Sequence, residues 1–103
     1  MDEKQFLELT SEALEQLQAG LEEADLDFEL PADGMVEIEF DDGSKIVVNR
    51  HSAAREIWVA ARSGGFHFRF DGAAWRDTRD GAELFDKLAG LIAAQGGSGV
   101  NFG

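Results

Sequence analysis

The sequence predicts an α+β two-layer sandwich, with N- and C-terminal helices packed on one face of an antiparallel β-sheet. Three observations carry this. Apolar residues recur at helical spacing near both ends of the chain, they alternate with polar residues over short runs in between, and tight-turn signals separate those runs. Tight turns imply antiparallel neighbours. Two amphipathic helices both need cover, so they share one face of the sheet and leave the other to solvent.

Residues 3–20 read as the first helix. Phe6, Leu9, Ala13, Leu14, Leu17 and Leu21 fall on one face, and Glu8, Glu12, Glu15, Glu22 and Glu23 fall opposite if the helix runs that far. Gly20 is expected to weaken or end it. Residues 25–30 alternate, with Leu26, Phe28 and Leu30 on one side and Asp25, Asp27 and Glu29 on the other, and Pro31 closes this half-buried strand. Residues 35–40 alternate again, with Val36, Ile38 and Phe40 inward, before the Asp42-Gly43 hairpin signal. Lys45–Arg50 follows with Ile46 and Val48 inward, and residues 51–55 form a polar connection. Glu56–Arg62 places Ile57, Val59 and Ala61 inward, a parity that forces Trp58 onto the outer face. Gly64-Gly65 reads as a turn without phosphate-loop spacing. Beyond it Phe66, Phe68 and Phe70 point into the core and His67 and Arg69 point out. Asp71-Gly72 turns the chain into a segment around Trp75, read as plugging the core edge. Asp80, with Glu83 three residues on, resembles a capping box for a second helix carrying Leu84, Phe85, Leu88, Leu91 and Ile92 and ending at Gly96-Gly97. The expected organisation is one domain over 1–96 and a frayed, flexible glycine-rich tail over 97–103.

Composition narrows the function. The chain has 103 residues and no cysteine, which excludes a disulfide framework, a thiolate zinc site and a cysteine nucleophile. Its formal charge of -12 opposes binding to a polyanion such as nucleic acid. No apolar run reaches membrane-spanning length, and the opening Met1-Asp2-Glu3 lacks the basic stretch of a secretory signal, so a cytoplasmic location is expected. The charge is uneven: residues 1–42 hold 15 of the 21 acids and a single base, Lys4. Such asymmetry marks either an acidic surface with a task or a solvated face that keeps the protein dissolved and blocks edge pairing.

The element order resembles the bacterial frataxin (CyaY) family. The resemblance is carried by Gly43-Ser44-Lys45-Ile46-Val47-Val48-Asn49-Arg50, Ile57-Trp58-Val59-Ala60 and Gly64-Gly65-Phe66-His67-Phe68, and covers almost the whole chain. Where that family usually has glutamines and a proline, this chain has His51, Glu56 and Ala53. The resemblance implies a modulator of iron–sulfur cluster assembly rather than an enzyme. It implies a monomer without iron, with an acidic ridge that weakly binds Fe(II) and Fe(III) and docks on a basic groove of the cysteine desulfurase. It further implies a sheet face, centred on the Trp, that meets the scaffold machinery.

On their own chemistry, carboxylates are hard oxygen ligands suited to iron, manganese or calcium rather than copper. The candidate metal ligands are Glu8, Glu12, Glu15, Glu22, Glu23, Asp25, Asp27 and Glu29. No stretch offers a dedicated calcium cage, so a cation would be held by one to three carboxylates and water. The candidate partner-binding residues are Glu22, Glu23, Asp25 and Asp27 on the ridge, and Asn49, Trp58, His67 and Arg69 on the sheet. Exposed Trp is enriched at interface hot spots; the alternative is that a long neighbouring side chain covers it. His51 reads as a loop residue and His67 as a surface sheet residue, with no third ligand at motif spacing. An acidic interaction module in which metal is incidental remains the second reading.

Overall fold

The structure, a computed structural model, describes residues 1–97 and 99–102. Helix α1 spans Glu3–Glu23 and helix α2 spans Leu84–Ala94. Between them run β1 (Phe28–Glu29), β2 (Met35–Glu39), β3 (Lys45–His51), β4 (Glu56–Ala61), β5 (Gly64–Phe70) and β6 (Trp75–Asp77). The strands form one antiparallel sheet in the order β1-β2-β3-β4-β5-β6, each hydrogen-bonded to the next in sequence. Both helices pack on it, as the two amphipathic patterns require.

The core follows those patterns. Phe6, Ala13, Leu14, Leu17 and Leu21 from α1 and Leu84, Leu88 and Ile92 from α2 are buried against Val36, Ile38, Ile46, Val48, Ile57, Val59 and Phe68 of the sheet. Trp75 is buried too, edge-on to Phe6 with ring centroids 6.1 Å apart and to Phe70 at 5.4 Å. Helix α1 starts with a capping box: Asp2 Oδ1 accepts from the Gln5 N–H, and the Gln5 side chain accepts from the Asp2 N–H. Arg50 ties the layers together. It crosses from β3 to α1, donating through Nε to Thr10 Oγ1 (2.7 Å) and through a terminal nitrogen to Ser11 Oγ (2.9 Å). At the far end Gln95 Oε1 accepts from the Arg62 N–H, and Gln95 Nε2 donates to Ser44 Oγ, so the end of α2 holds two hairpin turns.

Several boundaries differ from the sequence reading, each for a local reason. Helix α1 continues through Gly20, because burial of Leu17 and Leu21 outweighs a glycine penalty of about 1 kcal/mol. It closes in a Schellman motif: the Leu26 N–H reaches the Leu21 carbonyl, the Asp25 N–H reaches that of Glu22, and Asp25 sits at φ 58°. That motif consumes the start of the expected 25–30 strand, leaving only Phe28–Glu29 paired, with Leu30 exposed. Gly64 and Gly65 belong to β5, paired with Ala61 and Ala60; the turn is Arg62-Ser63. His51 lies in β3, opposite Glu56, not in a loop. Helix α2 is capped by Glu83, whose carboxylate accepts from the Phe85 and Asp86 N–H groups. Gly81, at φ 74°, breaks helical geometry after Asp80, which instead pairs with Lys87 at 2.7 Å.

Within the segment expected to fray, Val100 and Phe102 pack back on the molecule. The Phe102 ring meets Phe85 at 5.1 Å, and its carbonyl accepts from Gln16 Nε2 at 2.6 Å. Phe102 occupies the space that a side chain at Gly20 would need: a Cβ there would lie 2.5 Å from its Cδ1.

Candidate functional site

The acidic ridge is built by α1 and the short edge strand β1. Because α1 buries its leucines, its opposite face carries Glu8, Glu12, Glu15, Glu22 and Glu23, all exposed. Asp25, Asp27 and Glu29 continue the line and are exposed as well. Among the described residues, none of these eight carboxylates is in an ion pair. Many of the acids elsewhere are paired: Lys45 holds Glu37 at 2.6 Å, Arg62 holds Asp42, Arg76 holds Asp71, and Lys87 holds both Asp77 and Asp80, although Glu3, Glu39, Asp41 and Asp86 are in no ion pair among the described residues. These ion pairs and backbone N–H donors depress the Asp71 and Asp80 carboxyls below the usual range.

The ridge is electrostatically costly to the fold. Glu22 and Glu23 lie in the last turn of α1, which carries no base. That end holds the negative pole of the helix, where a carboxylate is unfavourable by ~0.3 to 1 kcal/mol. Asp25 occupies a left-handed position that glycine fills more readily. Across the sheet edge Glu29 pairs in register with Glu37, a like-charge contact that Lys45 relieves.

No three Asp, Glu or His side chains converge to hold a metal among the described residues. The ridge therefore offers separate, hydrated carboxylates spaced along a helix and an edge, chemistry that suits weak, exchangeable binding of a hard cation.

The second region is the open sheet face. Asn49, Trp58 and His67 are in register across β3, β4 and β5. Trp58 is outward and half-buried, stacked between two imidazoles: His51 at 3.6 Å and 13°, His67 at 4.5 Å and 10°. Two flat rings thus cover the indole. The Trp58 Nε1–H donates to Glu56 Oε1 at 2.8 Å, and Arg69 Nε donates to Glu56 Oε2 at 2.6 Å. His67 Nδ1 lies 3.6 Å from Oε1. Glu56 is itself only 6% exposed. Burial pushes its carboxyl up, but the hydrogen bonds from Trp58 and Arg69 and the charges of Arg69 and His67 prevail and hold it below the usual range.

The ridge residues and the sheet residues form two separate groups. In sequence Glu56 stood out only as a departure from a family pattern, and His51 as that and as a loop histidine without a third ligand. The pairing of His51 with Glu56 across a short hairpin was the signal that places both beside Trp58.

A two-helix, six-strand sandwich with an acidic flank and a Trp on its open face is the frataxin architecture. The frataxin-like domain family matches residues 1–98, and this chain belongs to that family. It is 60% identical over 102 residues to an iron-sulfur cluster assembly protein CyaY of Dechloromonas aromatica (strain RCB), covering 97% of each chain. It is 50% identical to the CyaY protein of the same description from Cupriavidus metallidurans, covering 94% of this chain and 92% of that one. Among solved structures, frataxin from Psychromonas ingrahamii superposes with a TM-score of 0.92 at 25% identity, over 100% of this chain and 99% of that one. A trimeric yeast frataxin from Saccharomyces cerevisiae, solved as a ferrous complex, superposes at 0.74 and shares the fold at 24% identity, over 92% and 86% of the two chains. The family's process is iron–sulfur cluster assembly.

Proposed function

We propose that this protein is a cytoplasmic, non-enzymatic modulator of iron–sulfur cluster assembly that uses one acidic surface twice. Glu8, Glu12, Glu15, Glu22, Glu23, Asp25, Asp27 and Glu29 bind Fe(II) or Fe(III) weakly, and other divalent cations by the same chemistry. Glu22, Glu23, Asp25 and Asp27 also dock on a basic groove of the cysteine desulfurase. The sheet face of Asn49, Trp58, His67 and Arg69 engages the scaffold machinery. The observation that carries this reading is the run of exposed carboxylates that have no ion-pair partner among the described residues, of which Glu22 and Glu23 sit against helix polarity and Asp25 against backbone geometry. Charge placed against stability in this way is relieved by binding something positive, and binding to the native state returns the stability.

Iron is cargo in this reading. The ferrous complex of the yeast relative and the hard-oxygen chemistry of the ridge support it. A titration with Fe(II) or Co(II), followed residue by residue by NMR, tests it. Perturbations should concentrate on α1 and β1, and scattered perturbations would refute the assignment.

The absence of a converged ligand set among the described residues favours a second reading, in which the ridge is an electrostatic docking surface and metal is incidental. Partner affinity measured in chelator separates the two. Affinity unchanged by chelation supports the second.

A further inference from the structure

We propose that Glu56 is the positioning residue of the open sheet face: its buried carboxylate fixes how Trp58 is presented. This rests on the reading of that face as a docking surface, and goes beyond it by naming what makes the surface rigid. The argument begins with a residue that the strand does not need. Strand positions favour β-branched or aromatic side chains over glutamate, and a carboxylate that is 6% exposed demands partners. All three partners of Glu56 lie on the same face as Trp58: the Trp58 Nε1–H at 2.8 Å, Arg69 Nε at 2.6 Å and His67 Nδ1 at 3.6 Å.

The consequences follow from the geometry. An indole has one polar atom, and here Glu56 holds it. The two faces of the ring are held by His51 and His67, both within 13° of parallel. The ring is thereby restrained on both faces and along its N–H edge. A side chain already ordered has no rotamer freedom to lose when a partner arrives. The same carboxylate takes up the Arg69 charge, so the face presents an aromatic stack beside a compensated guanidinium. A glutamine at position 56 could offer one carbonyl oxygen to either Trp58 or Arg69, but not one oxygen to each, as the carboxylate does.

The test uses the full chain, ¹⁵N-labelled, and reads the indole N–H of Trp58 directly. Solvent exchange of that proton should quicken at least tenfold in Glu56→Ala and recover part of the loss in Glu56→Gln, in which an acceptor remains. The proton of Trp75 is the internal control and should not change. Exchange of the Trp58 proton within twofold of wild type in Glu56→Ala would overturn the proposal, as would a folded Glu56→Gln protein no better protected than Glu56→Ala. The docking reading is tested separately, by affinity of Trp58→Ala for purified cysteine desulfurase with its scaffold. If Trp58→Ala binds like wild type while Glu56→Ala frees the indole, the docking reading fails and the positioning role of Glu56 stands.

Discussion

Reversing Glu22 and Glu23 together to lysine sets stability against binding. Both residues sit in the last turn of α1 and are exposed, so neither substitution disturbs the core. Each lysine replaces an unfavourable charge at the helix's negative end with a favourable one, a change of about 0.5 to 1 kcal/mol per site after solvent screening. Relief of repulsion from Asp25 and Asp27 adds a few tenths, since carboxylates ~6 Å apart in water repel by ~0.7 kcal/mol. The expected gain is therefore roughly 1 to 2 kcal/mol, which in a domain of this size raises Tm by about 5 to 12 °C. Thermal melts at low salt measure it. In 1 M salt, where charges are screened within ~3 Å, most of the gain should vanish. The same variant should lose the Co(II)-induced NMR shifts around the end of α1 and weaken docking by an order of magnitude or more. A lower Tm at low salt would refute the claim that these acids oppose the fold, and retained cation shifts would refute their role as ligands.

Asp25→Asn keeps the left-handed position accessible while removing a charge, so it should stabilise by a few tenths of a kcal/mol, whereas Asp25→Gly should gain about 1 kcal/mol; denaturant melts distinguish them. Gly20→Ala should gain about 1 kcal/mol of helix propensity and spend most of it displacing Phe102; amide exchange at 99–102 should rise, and stabilisation with that segment still protected would contradict the packing described. Because the folded Glu56 carboxyl lies below its ordinary range, its stabilisation is complete above that range and is lost as pH falls through the lower folded value. Glu56→Gln should accordingly cost stability at pH 7 and progressively less as the solution is acidified, as read by urea midpoints; a loss that does not shrink with falling pH would show that ionisation is irrelevant. Trp58→Ala should forfeit stacking worth about 1 to 2 kcal/mol and still unfold cooperatively, because the core beneath it is intact.

The layer arrangement and the outward Trp were legible in sequence because both rest on periodicity. Ile57 and Val59 can be buried only if Trp58 is not. Periodicity says nothing, however, about what reaches a residue from distant parts of the chain. Gly20 looked like a helix stop because the ring that fills its missing side chain belongs to Phe102. Asp80 looked like a cap because the left-handed Gly81 after it could not be foreseen. The ridge was visible as a count of acids, but its cost emerged only with the helix end at Glu23 and the backbone angle at Asp25. On the sheet face, Asn49, Trp58, His67 and Arg69 were found from alternation. Glu56 was not, because its role depends on its depth and on three side chains from two strands.

The strands follow one another across the sheet in chain order, with no crossover. For the strands, position along the sequence is therefore also position from one edge of the sheet to the other. The β1–β2 edge carries Glu29, Glu37 and Glu39, while β5 and β6 carry Arg69 and Arg76 beside Asp77, so charge is polarised across the strands. A charged partner at a distance can exert torque on such a body before any surfaces touch, turning it acidic side foremost. Encounter would then be pre-aligned at low ionic strength and nearly orientation-blind in concentrated salt. The association rate would register that difference even where the final complex did not change.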